Sequence, residues 1–116
     1  MKNDWHCSLD DVLAGIPDPT TGKRSSFPVR HGTMRTGLYT PAGTDPQEPH
    51  DQDEIYIIHS GQGRFRRGSE SIDVKPGDIL FVPARMEHRF EDFSDGFQAW
   101  VVFLSLIHIS EPTRPY

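Results

Sequence analysis

The chain has one cysteine, Cys7, in 116 residues, which excludes an intrachain disulfide and a cysteine-rich zinc site. No apolar run approaches the roughly 18 residues a membrane span needs, so no membrane partner is expected. The N-terminal stretch Met1 to Trp5 lacks the apolar core of a signal peptide, and a cytoplasmic location is the expectation. Positive charge is also scarce: 12 Lys and Arg stand against 17 Asp and Glu, a formal net charge of -5. No surplus of cations is left to neutralise a phosphate backbone, so nucleic acid is not an expected partner. Hydrophobic residues make up only 34%, but aromatics at 10% supply enough bulk for a packed core and argue against disorder. The length suits a single domain.

Ser8 to Gly15 reads as a short helix, with Ser8 as N-cap, Asp10 and Asp11 in the first turn, Gly15 behind it and Pro17 as the stop. Asp18 to Ser26 reads as loop. From Phe27 onward, turn clusters recur every eight to twelve residues. They separate short β-branched and aromatic runs at His31–Tyr39, Glu54–Ser60, Arg64–Arg67, Ser71–Val74, Ile79–Val82, His88–Phe93 and Phe97–Phe103. Regularly spaced short strands point to an all-β barrel or sandwich. The expected organisation is an N-terminal helix and loop over 1–26, a barrel over 27–103, and a foreign tail over 104–116. The tail is set apart because Leu104 to Arg114, LSLIHISEPTR, resembles the translated reading frame of a transposase-type sequencing adapter. His108 is therefore no ligand candidate.

Two clusters carry chemistry. The first is Glu48-Pro49-His50 with Glu54, and the second is His88. Residues two apart in an extended strand face the same way, so Glu48 and His50 are expected to point together. Glu54 shares parity with Tyr56 and Ile58, and His88 shares parity with Phe90. If those strands are neighbours, imidazole and carboxylate donors converge into a set suited to a divalent metal. The plainer alternative is a solvated His50–Glu54 ion pair. The cost of burying such groups without a partner favours the metal.

These residues resemble the two cupin motifs. Gly43, Glu48-Pro49-His50, Glu54 and Gly61 follow the first, with Glu48 where the motif has His. Gly77, Pro83-Ala84-Arg85, His88 and Asp92 follow the second, with Arg85 for Gly and Asp92 for Asn. The resemblance implies a jelly-roll-type antiparallel β-barrel (a double-stranded β-helix) with a metal near its centre. His50, Glu54 and His88 are the metal ligands it implies, with Glu48 as fourth ligand or general base, and Gln47 as a further donor if the register shifts by one. With Glu48 the set is oxygen-rich and favours Fe²⁺ or Mn²⁺. Without it His50, Glu54 and His88 form the two-histidine, one-carboxylate donor set of non-haem Fe(II) oxygenases, with Zn²⁺ or Ni²⁺ as alternatives. Oxygenase, isomerase, decarboxylase and lyase chemistries all occur on this fold. The expected partner is a small molecule, as substrate or as ligand of a non-catalytic sensor, and a metal-free structural barrel is the third reading. Tyr56 and Phe90 are candidate pocket residues. Arg64 is a candidate contact for an anionic substrate, although a solvated strand face is its default. Ile55 and Ile57, on the outward parity, need a cover, and a homodimer is expected.

Overall fold

The computed structural model describes residues 5–105. Residues 106–116, with His108 and nearly all of the adapter-like segment, lie outside the described residues. The helix α1 spans Leu9–Leu13, and the Ser8 hydroxyl accepts the Asp11 N–H at 3.1 Å, supplying the expected N-cap. Eight strands follow: β1 (Ser25–His31), β2 (Met34–Tyr39), β3 (Asp53–Ser60), β4 (Gly63–Arg67), β5 (Glu70–Val74), β6 (Ile79–Val82), β7 (His88–Glu91) and β8 (Gln98–Leu104). They form two antiparallel sheets, one ordered β1-β2-β8-β3-β6 and the other β5-β4-β7.

The sheets face each other across one core. Alternation along β3 turns Glu54, Tyr56 and Ile58 inward, and along β8 it turns Ala99, Val101 and Phe103 inward. Phe65 and Phe90 meet them from the smaller sheet. The Tyr56 ring lies edge-on to both, with centroids 5.8 and 5.0 Å away. The all-β class and jelly-roll-type architecture agree with the sequence reading. The described strands form an open two-sheet sandwich and do not close into one continuous hydrogen-bonded barrel.

One expected strand divides. His31 to Tyr39 is not continuous: His31 ends β1, Gly32 and Thr33 turn, and Met34 pairs back onto His31. Gly32 takes a positive φ of 57°, which suits a two-residue hairpin loop. β1 itself begins inside the expected loop and contains Pro28. The proline is tolerated because β1 is an edge strand and the pairing is shifted between Ser26 and Val29. At this point β2 runs so close beneath β1 that a Cβ on Gly37 would collide with the Ser26 carbonyl oxygen.

Candidate metal centre

Three side chains converge in the core. Glu54 enters from β3 and His88 from β7, while His50 enters from the irregular segment before β3. β3 and β7 lie in different sheets, so Glu54 and His88 meet across the sandwich and not along neighbouring strands as the parity argument supposed. His88 Nε2 is 3.1 Å and His50 Nε2 3.7 Å from Glu54 Oε2, and the two imidazole centroids are 5.6 Å apart. Glu54 and His88 are buried, and His50 is half-buried.

The donor atoms are prepared. His88 Nδ1 lies 3.0 Å from the Met86 carbonyl, which can only accept, so Nδ1 carries the proton. In the neutral ring, Nε2 then presents its lone pair to the cluster, as the outer hydrogen bond of a metal-ligating histidine arranges. His50 Nε2, His88 Nε2 and Glu54 Oε1 are buried without a protein hydrogen-bond partner. Ligand atoms bound at about 2.1 Å to one cation stand about 3.0–3.4 Å apart. The His88–Glu54 separation of 3.1 Å matches, the His50–Glu54 separation of 3.7 Å is slightly longer, and all three donors lie within 4.8 Å of one another. The three residues therefore fit a divalent metal.

Backbone contacts tie the two motifs together. The Arg85 N–H donates to the His50 carbonyl at 2.6 Å, and the Ala84 N–H donates to Asp53 Oδ1 at 2.8 Å. Arg85 itself takes φ 68°, and Asp92 takes φ 51°. Left-handed backbone costs a non-glycine residue roughly 1–2 kcal/mol. Its side chain returns little, because the Arg85–Asp51 ion pair at 3.6 Å is largely exposed on both sides. Arg85→Gly is therefore expected to raise stability by about 1 kcal/mol in urea unfolding, with metal content unchanged.

A polar chain leads away from the centre. Buried Asp45 accepts from the Tyr39 hydroxyl at 2.6 Å, from the Phe90 N–H at 2.7 Å, and from Gln47 N and Nε2 at 3.1 and 2.9 Å. Gln47 Oε1 in turn accepts the Tyr56 hydroxyl at 2.9 Å. Burial, then the neighbouring Glu54 charge, pushes the Tyr56 phenol well above its ordinary range, so it stays a donor. Burial, then the hydrogen bond to Asp45, does the same for Tyr39. Beside His50 opens a pocket of about 650 Å³ whose walls include Phe27, Arg35, Tyr39, Gln47 and Phe103. That volume lies in the range of small-molecule sites.

Other expected residues fall elsewhere. Glu48 is exposed and stands outside the cluster. The parity rule fails there because residues 46–50 form no regular strand, and Pro46 and Pro49 interrupt the segment. Gln47, one residue back, turns inward instead. Arg64 points outward to Asp73 at 3.7 Å and does not line the pocket. Tyr56 and Phe90 are core residues behind the centre and do not form the pocket wall. Sequence reasoning passed over Arg35, Tyr39 and Asp45.

A two-sheet β sandwich with two histidines and a glutamate gathered in its interior is a small jelly roll whose cluster could hold a metal ion. Residues 36–104 match the Cupin_2 family, described as Cupin domain, and the chain belongs to the cupin family. It is 40% identical over 77 residues to the uncharacterized protein SCO3923 of Streptomyces coelicolor, covering 65% of this chain and 73% of that one. It is 32% identical over 92 residues to mannose-6-phosphate isomerase 2 of Arabidopsis thaliana, covering 73% of this chain but only 19% of that longer protein. A cupin-2 domain containing protein from Shewanella frigidimarina shares the fold with TM-score 0.64 at 14% identity, over 83% of this chain and 91% of that one.

Proposed function

We propose that this cupin holds a divalent metal on His50, Glu54 and His88 and acts as an enzyme on a small molecule admitted through the pocket beside His50. The observation that carries this reading is the convergence of the His50 and His88 Nε2 atoms on the buried Glu54 carboxylate, whose Oε2 faces them at 3.7 and 3.1 Å and whose Oε1 has no hydrogen-bond partner. With Glu48 outside, the set is two histidines and one carboxylate, which favours Fe²⁺ or Mn²⁺, with Zn²⁺ or Ni²⁺ as alternatives. Such a metal would supply Lewis-acid polarisation of a substrate oxygen or activation of water or O₂. The chain's own residues do the positioning: Met86 fixes the His88 tautomer, and the Asp45–Gln47 pair holds the Tyr56 hydroxyl near Glu54. The likeness to part of a mannose-6-phosphate isomerase supports small-molecule work. Metal-loaded protein should turn over members of a small-molecule panel, tested with and without O₂. Tight ligand binding with no turnover of any member would instead favour the sensor reading.

A homodimer through the outer face of β3 and β6 is also proposed. Ile57, Ile79 and Phe81 are exposed there, and Ile57 and Ile79 pair directly across the two strands. Light scattering should give twice the chain mass, and Phe81→Glu should return the monomer. A wild-type monomer at all accessible concentrations would remove the idea.

A further inference from the structure

The pocket beside His50 carries a charge opposite to that of the whole chain. Lys23, Arg24, Arg30 and Arg35 line it against a single acid, Asp18. The Asp18 carboxylate is already engaged, accepting the Thr20 and Thr21 N–H groups at 2.8 and 2.9 Å. Away from the pocket, most described cations find acids: Arg64 with Asp73, Arg66 with Glu91, Arg67 with Glu70, Lys75 with Asp78 and Arg85 with Asp51, with Arg89 the exception. Among the described residues, none of the four pocket cations forms an ion pair, in a chain with acids to spare.

Three of the four are nevertheless held in place. Arg24 Nε donates to the Thr40 carbonyl at 2.9 Å, and Arg30 Nε donates to the Phe27 carbonyl at 2.8 Å. The Arg35 guanidinium carbon lies 4.2 Å from the Phe103 centroid and 4.9 Å from that of Phe27. Each anchor uses Nε or the guanidinium face and leaves terminal N–H groups for another acceptor. Side chains ordered in advance lose little freedom when a ligand arrives. Phe103 also carries His50, whose ring centroid is 5.1 Å away, so Arg35 and His50 rest against the same aromatic ring.

We infer that this pocket binds its small molecule by an oxyanion group, carboxylate or phosphate, with Arg35 as the principal partner and Arg24 and Arg30 in support. The planar fork of a guanidinium matches both groups. The inference deepens the metal-enzyme reading and rests on it for one thing only, the direction in which the bound molecule extends: an anion held on Arg35 leaves the rest of the ligand beside His50.

Calorimetric titration of the full chain with inorganic phosphate and with malonate tests this, using metal-loaded and metal-depleted protein and measuring metal content separately. At least one anion should bind. Arg35→Gln should weaken it roughly tenfold or more, and Arg64→Gln should leave it unchanged. Tighter phosphate would mark a phosphorylated ligand, and tighter malonate a carboxylate. If Arg35→Gln does not fold, the Arg24→Gln/Arg30→Gln pair should show a several-fold loss. Arginine-dependent binding in a chain that takes up no metal would uphold the anion site while removing the metal reading. Binding that needs metal and ignores Arg35 would place the anion on the metal and overturn the inference. Failure of both anions to bind folded wild type, or equal weakening by Arg64→Gln, would also overturn it.

Discussion

His88→Ala is expected to abolish stoichiometric metal binding and to destabilise the metal-free protein by about 3 kcal/mol. His88 Nε2 is the nearer of the two imidazole nitrogens to the buried Glu54 carboxylate, at 3.1 Å against 3.7 Å for His50. Removing the imidazole deletes a ligand, leaves a cavity among Tyr56 and Phe65, and strips an interior carboxylate of its partner. Urea unfolding in the presence of a chelator reads the stability loss, and elemental analysis reads the metal. The pH dependence separates the pair from simple packing. Burial pulls the His88 pKa down, but the Glu54 carboxylate and the Met86 carbonyl outweigh it, and the net shift is upward from 6.5. A raised folded value means the pair's contribution is complete below the unfolded imidazole range and is lost as pH rises through the folded value. Metal-free wild type should therefore lose part of its advantage over His88→Ala on going from mildly acid to mildly alkaline pH. Burial holds His50 in the opposite direction, below its ordinary value. That contribution is shared by both proteins and is expected largely to cancel in the difference. Metal affinity should run the other way and rise with pH, because the ligating imidazoles must give up their protons. A stability difference that does not change with pH would remove the charged pair from the account.

Asp45→Ala is expected to cost about 3 kcal/mol or more, seen as a lower urea midpoint with an unchanged slope. This carboxylate is 3% exposed and accepts four hydrogen bonds, one of them from the Phe90 backbone, 45 residues along the chain. Alanine would leave the Tyr39 hydroxyl, the Phe90 N–H and both Gln47 donors without it. The penalty comes from buried donors left unmade more than from lost attraction. Asp45→Asn keeps one carbonyl acceptor but turns an amide toward a donor, so an intermediate loss is expected. A loss under 1 kcal/mol for the alanine variant would show that water replaces the carboxylate readily, and that the Asp45–Gln47–Tyr56 chain does not hold the site in shape.

These two residues mark what was and was not legible in the sequence. Glu54 and His88 sit within regular strands, where alternation decides the face, and motif spacing pointed to the same pair. The Ser8 cap and most strand positions are local properties and were read locally. Alternation places Glu48 beside His50, but it does not hold in a segment broken by Pro46 and Pro49, and Glu48 is exposed. Its neighbour Gln47 turned inward instead. Asp45 sits in a stretch rich in Pro, Gly and Asp, where an aspartate reads as a turn residue, and only its contact with β7 reveals its task. Arg35 shares a hairpin with an edge strand that contains a proline, and the start of that strand reads locally as loop. The pocket cations consequently stayed scattered along the chain until β1 and β2 paired.

The proposed chemistry of this sandwich rests on a metal held by His50, Glu54 and His88. The most direct measurement is elemental analysis of the chain purified without an affinity tag, before and after reconstitution with Fe²⁺ or Mn²⁺. About one ion per chain is expected, lost in His50→Ala and His88→Ala and retained in Glu48→Ala. A folded wild-type chain that takes up no metal, or histidine variants that hold as much as wild type, would contradict it.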